Sequence, residues 1–220
     1  MKRITSLLLA ILLLFTLTAC GRLQQPETVP GSTEAPTQSV PETTELPSAP
    51  ETEAPSEAPA ADGKTLIVYF SWSGNTEEMA SFIQEQTGGD LLKLEPRDAY
   101  PADYGDCADV AKEERDANAR PEIANLPDSI AEYDTIFVGY PIWWHTAPML
   151  IGTFLESFDL NGKEIYPFSQ SASMDAEQFA ESMAFVRENA AGANVHEGLF
   201  VSASNTEGIL AYLTDSGFAK

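Results

Sequence analysis

The chain has 220 residues, with 34 acidic side chains against 12 basic ones and a formal charge of −22. That balance repels polyanions and argues against a nucleic-acid partner. Apolar residues make up 43% of the sequence but are unevenly spread, so it divides into three unequal parts rather than one compact body.

Residues 1–20 come first. Lys2 and Arg3 precede an almost unbroken apolar run from Leu7 to Leu17, followed by Thr18, Ala19 and Cys20, the charged, greasy, small-residue order of a secretory signal. Spanning a bilayer as a helix takes about 20 apolar residues, and Ile4 to Ala19 falls short, so a retained transmembrane helix is the alternative. Leu17-Thr18-Ala19-Cys20 resembles the lipobox of bacterial lipoproteins, which implies a lipidated Cys20 at the mature N-terminus. More than one acyl chain there, at about 0.8 kcal/mol per buried methylene, gives lasting attachment to a membrane. Residues 21–62 then shift to Pro, Thr, Glu, Ser and Ala without an aromatic, too little apolar surface to offset the entropy of ordering. They read as a tether, whose reach fully extended at about 3.1 Å per residue is roughly 130 Å.

Residues 63–220 are enough for one domain with a substantial core. With Cys20 lipidated, Cys107 is its one thiol, so no internal disulfide can form. Acidic neighbours in "YGDCADVAKEERDA" disfavour a thiolate, and Cys107 reads as a small, partly buried apolar residue. Four continuous apolar runs have strand length: Thr65 to Phe70, Asp134 to Pro141, Glu164 to Ser169 and Gly198 to Ser204. Lacking alternation, they predict strands covered on both faces, as in a parallel sheet. A fifth run, Asp90 to Pro96, alternates in part and suits an edge. Helical patterns fall between them, at Asn75 to Thr87, roughly Tyr104 to Ala119, Ala147 to Phe158, Asp175 to Ala190, and Asn205 to Ser216. The alternation predicts a doubly wound α/β sandwich with right-handed crossovers, whose ligands sit beyond the carboxyl ends of the strands.

The first strand ends in "YFSWSGNTEEMA" at such a place. Ser71, Trp72, Ser73 and Gly74 form the turn, and Asn75 or Thr76 opens a helix whose free N–H groups attract an anion. Capping by Asn75, with Glu78 completing a capping box, accounts for those two residues but not for Ser71, Ser73 and Gly74 together. No Lys or Arg lies between Thr65 and Leu92, so a Walker loop is excluded and neutral donors must hold any anion. After the 134–141 strand come Trp143 and Trp144, which cannot both point into a core. His145 beside them either donates to a bound ring or caps the helix that follows.

"IVYFSWSGNT" and "DTIFVGYPIWWHTAP" resemble the two flavin-mononucleotide loops of the flavodoxin-like family, and the likeness spans essentially all of residues 63–220. It implies a three-layer α/β sandwich with a five-stranded parallel sheet of order 2-1-3-4-5 and the cofactor, FMN, between the first and third strands. By motif match Ser71, Ser73, Gly74, Asn75 and Thr76 would cradle the phosphate with Trp72 among them, and Pro141, Ile142, Trp143, Trp144 and His145 would border the isoalloxazine ring. Where many relatives carry a glycine-rich third loop, this chain reads Ser169-Gln170-Ser171-Ala172-Ser173-Met174. Either these side chains replace the backbone contacts to the flavin, or the turn is a polar connection ending in Ser173 or Asp175 as a helix cap. Tyr100 and Tyr104 either face the flavin edge or pack locally, and His196 is expected at the surface. No metal-ligand spacing is visible.

These features together imply a lipid-anchored protein outside the cytoplasmic membrane that passes electrons to a redox partner protein or a quinone, the flavin carrying the chemistry. Two rivals remain: a flavin-free binding or adaptor domain on the same fold, and a binder of small phosphate compounds.

Overall fold

The computed structural model describes residues 63–170 and 175–218. The expectations for Cys20, the tether, Ser171 and Ser173 lie outside them. Among the described residues no helix is long and apolar enough to cross a membrane.

In chain order the elements are β1 (Lys64–Tyr69), α1 (Asn75–Thr87), β2 (Asp90–Lys93), α2 (Tyr104–Asp116), β3 (Tyr133–Pro141), α3 (Met149–Glu156), β4 (Glu164–Gln170), α4 (Ala176–Asn189), β5 (Asn194–Val195), β6 (Leu199–Phe200) and α5 (Thr206–Asp215). All strand pairs are parallel, in the order β2-β1-β3-β4-β5, with β6 also on β4. The unbroken apolar runs follow from burial on both sides. Leu66, Val68, Ile136, Val138 and Tyr140 face one layer, where Leu150, Ile151 and Phe154 of α3 and Met183 and Val186 of α4 meet them. Ile67, Tyr69, Phe137 and Phe168 face the other, against Met79 and Ile83 of α1 and Ile209 and Leu213 of α5.

The fifth strand departs from expectation. Instead of one run from Gly198 to Ser204 it is two fragments, β5 on Glu164–Ile165 and β6 on Phe168–Ser169. Proline in the neighbouring strand supplies the reason. The Ile165 carbonyl accepts from His196 N–H at 2.9 Å, so Pro167, two residues on, faces the same neighbour and has no N–H to return. Gly198 beside it allows close approach, since a Cβ there would meet Phe179 at 2.5 Å and the Pro167 carbonyl at 3.0 Å.

The β2 edge is short, and the connection from α2 to β3 covers its continuation. Arg97 N–H donates to Glu122 O at 2.8 Å, Ala124 N–H to Glu95 O at 2.7 Å, and the Asn125 amide to Lys93 O at 2.6 Å. That pairing hides an edge that would otherwise invite another strand.

Candidate flavin-binding cleft

Beyond the carboxyl ends of β1 and β3 lies a cleft of about 330 Å³, a volume in the range of small-molecule sites. Trp72, Ser73 and Asn75 line it from the first loop, Pro141 to His145 from the loop after β3, Gln170 from the end of β4, and Tyr104, Cys107, Ala108 and Ala111 from α2. No Lys or Arg is among them.

One wall is the start of α1. Its N-cap is Gly74 at φ 94°, a left-handed conformation that glycine adopts without penalty, and no side chain caps the helix. Helices α2, α4 and α5, by contrast, are capped by Asp103, Asp175 and Asn205. The capping role considered for Asn75 is therefore corrected: Asn75 is the first helical residue, and its side-chain amide donates to Ser73 Oγ at 3.2 Å. Ser71 Oγ accepts from Gly74 N–H at 3.1 Å. Both hydroxyls thus accept within the loop and keep their own hydrogens to donate elsewhere. An uncapped first turn beneath two such hydroxyls is a neutral donor set for one anionic group.

The opposite wall is a tight turn. Trp143 N–H donates to Thr146 O at 2.9 Å and Thr146 N–H donates back to Trp143 O at 3.0 Å. Between them Trp144 and His145 have φ of 50° and 66°. Positive φ at both central positions is what a type I′ turn requires, and it costs about 1–2 kcal/mol for an ordinary L residue. Neighbouring helices hold the turn in place. The Trp144 indole N–H donates to Ala108 O at 2.8 Å, Arg115 lies 5.5 Å from its ring, and Arg115 Nη1 donates to Trp144 O at 3.3 Å. From α4, Glu181 Oε2 lies 3.0 Å from His145 Nδ1. The cap of α3 is Pro148 with no side-chain hydrogen bond, so His145 does not fill the capping role weighed for it.

The two tryptophans divide as the sequence required. Trp143 packs edge-on against Phe70 at 5.4 Å and Tyr100 at 5.0 Å, while Trp144 is 38% exposed at the cleft mouth. Tyr100 is a packing residue: its hydroxyl donates to Glu114 at 2.7 Å, and burial, then Glu114, raises its pKa. Tyr104 is 76% exposed on the rim. Burial, then Glu114, also raises the Cys107 pKa, so the thiol in the cleft floor stays protonated.

A family model described as flavodoxin matches residues 64–215. The chain belongs to the flavodoxin family. It is 29% identical over 129 residues to flavodoxin 1 of Escherichia coli K12, a match covering 56% of this chain and 59% of that one, so it spans under two thirds of the curated relatives it matches. A flavoprotein from Bacteroides uniformis is 33% identical with a TM-score of 0.63, covering 69% of this chain and 98% of that one. A flavoprotein from Lactobacillus acidophilus, solved in complex with FMN, is 29% identical with a TM-score of 0.54 over 66% of this chain and 97% of that one.

Within this flavodoxin domain the anticipated site residues separate. Trp72, Ser73, Asn75, Pro141, Ile142, Trp143, Trp144, His145 and Gln170 share the cleft. Ser71 lines a shallower neighbouring hollow with Phe70 and Tyr100, Gly74 is exposed in the loop, and the Thr76 side chain is buried in the first turn of the helix; neither Gly74 nor Thr76 is among the cleft's lining residues. Ser169 is corrected: it is fully buried, and its hydroxyl donates to Tyr140 O at 2.5 Å inside the sheet rather than toward the cleft. The next helix starts with a capping box between Asp175 and Gln178. His196 is corrected too. It is half-buried, stacked on Tyr166 at 4.1 Å and paired with Glu164, well away from the cleft.

Sequence reasoning missed Cys107, Ala108 and Ala111 as cleft residues, and Glu181. For the first three the available signal was the small-residue spacing along one face of α2, which only a tertiary contact turns into a wall. An exposed glutamate in mid-helix gave none.

Proposed function

We propose that this flavodoxin domain binds FMN in the cleft and serves as an electron carrier, passing electrons to a redox partner protein or a quinone. The observation carrying the reading is the uncapped start of α1 under Ser71 and Ser73, opening onto a cleft walled by aromatic side chains. Neutral donors and a helix N-terminus suit a phosphate monoester, and the aromatic lining of Trp72, Tyr104 and Trp144 suits a planar ring. FMN would supply the redox chemistry, while the chain binds and orients it and shields one side from water. The exposed rim at Tyr104 and Trp144 leaves an approach for a quinone or protein partner. We further propose that Cys20 carries lipid and that residues 21–62 hold the domain away from the outer face of the cytoplasmic membrane, on the strength of the Leu17-Thr18-Ala19-Cys20 order and the tether composition.

Residues 63–220 correspond to nearly the whole length of the Bacteroides uniformis flavoprotein and can be tested alone. Purified and mixed with FMN, they should turn yellow and release one equivalent of the mononucleotide on denaturation. A colourless domain indifferent to added FMN returns the chain to a flavin-free binding or adaptor role.

A further inference from the structure

We infer that Glu181 is a positioning residue that fixes which nitrogen of His145 faces the cleft, and so makes His145 the group that takes up a proton when charge enters a ring bound there. The inference rests on the FMN reading above.

His145 lines the cleft, yet its backbone is not free to wander, because the Trp143–Thr146 bridge and the left-handed φ of 66° fix where its side chain leaves the chain. Its Nδ1 lies 3.0 Å from Glu181 Oε2. A carboxylate only accepts, so Nδ1 carries a hydrogen, and in the neutral ring Nε2 is then the nitrogen with the lone pair. Among the described residues, the side-chain hydrogen bond of His145 runs through Nδ1. Glu181 lies in the middle of α4, a helix begun by a capping box, so the acceptor stands on a fixed element rather than a loop. A free imidazole has no such constraint. Here the partner on α4 selects one tautomer and leaves the basic nitrogen open.

The charged groups around His145 favour this role. Glu181 on α4 is the carboxylate in contact. On α2 the facing cation is Arg115, which touches the Trp144 carbonyl, but Asp116 holds it at 2.6 Å and offsets its charge. Asp116 also accepts from Lys112, and Cys107 in the floor stays neutral. Reduction of a ring held in the cleft by two electrons from dithionite, with uptake of one proton, would leave one negative charge on it. His145 Nε2 would take a second proton from water, and the imidazolium between that charge and Glu181 would offset one of the two negative charges.

Two measurements decide this. In the FMN-free domain, long-range nitrogen–proton NMR above the range where imidazole titrates should show His145 with its hydrogen on Nδ1, and Glu181→Ala should shift the population toward Nε2–H. A wild-type spectrum dominated by Nε2–H, or one unchanged in Glu181→Ala, overturns the positioning role. In the FMN-loaded domain, spectroelectrochemistry between pH 6 and 8 should give a midpoint potential that falls more steeply with pH than the roughly 30 mV per unit of a one-proton, two-electron couple, toward the two-proton value of about 59 mV. His145→Gln should lower the slope to about 30 mV, the one-proton value, with Glu181→Ala in between. Identical slopes in all three overturn the proton coupling. A domain that takes up no FMN sinks the functional reading and the coupling with it, while the nitrogen spectrum still decides whether Glu181 orients His145.

Discussion

Gly139 is the third residue from the end of β3, close to where the sheet opens into the cleft, and replacing it by alanine tests how tightly the loops after β1 and β3 are tied together. A Cβ at this position would lie 2.5 Å from Phe168 Cε2, 2.8 Å from Cε1 and nearer still to Cζ, all closer than carbon atoms can pack. Phe168 is fully buried and cannot swing out. The strain must therefore go into the backbone, and the nearest hydrogen bond is Phe70 N–H to Gly139 O at 2.9 Å, which joins the end of β1 to β3. Overpacking of this kind costs about 3 kcal/mol at the upper end of its range. Phe168→Leu deletes the three clashing atoms and by itself costs about 1.5 kcal/mol for the space it leaves. If the two effects were independent, the double variant would lose about 4.5 kcal/mol; relief of the clash predicts about 2.5 kcal/mol, a coupling of about 2 kcal/mol. Urea unfolding of the four proteins measures this, and a domain of ordinary stability survives all of the losses. The affinity for FMN should follow the same pattern, weakest in Gly139→Ala and partly restored in the double variant. Additive stabilities would refute the steric argument, and unchanged affinity in Gly139→Ala would refute the link between this junction and the cleft.

Removing Ser73 Oγ should cost one hydrogen bond to a charged acceptor, about 1.5–3 kcal/mol, so Ser73→Ala should weaken FMN binding by roughly 10- to 100-fold with little change in urea midpoint. Thr76→Val should likewise weaken binding more than folding, as titration calorimetry beside urea unfolding would reveal; equal losses would reduce this residue to a helix-packing role. Glu114 is raised above its ordinary range chiefly by burial, with the Tyr100 hydroxyl opposing. A raised folded-state value favours folding most at acid pH, and that contribution is lost as the pH climbs from about 4.5 through the folded value. Glu114→Gln should therefore compare better with wild type at pH 7 than at pH 5; a gap that does not move with pH would contradict the shift. In the full chain, Cys20→Ser should move the protein from the membrane pellet to the aqueous fraction, and a variant that still pellets would remove the lipid anchor.

What the sequence could reveal follows from how locally each feature is determined. β1, β3 and β4 announced themselves because a strand buried on both faces has no polar side, and that property needs no knowledge of its neighbours. The loop from Ser71 to Gly74 was legible for a related reason, since hydroxyls and a glycine between an apolar run and a helical one have little to do in a plain turn. The fifth strand was not legible from its own residues. Its break belongs to Pro167 in β4, so the signal sat about thirty residues earlier and had meaning only once the two strands were known to pair. The turn at Trp144 and His145 is the hardest case, because local preference asks for Asn-Gly at paired left-handed positions and the chain offers two bulky rings. Backbone strain of that kind persists only where surrounding structure over-determines it. Here Ala108 and Arg115 grip Trp144 from α2 and Glu181 grips His145 from α4. Relaxing the turn with Asn-Gly would ease the backbone but delete both rings and all of those ties. The local rule is broken where a planar ligand needs a wall, so the misfit between residue type and conformation itself marks the site.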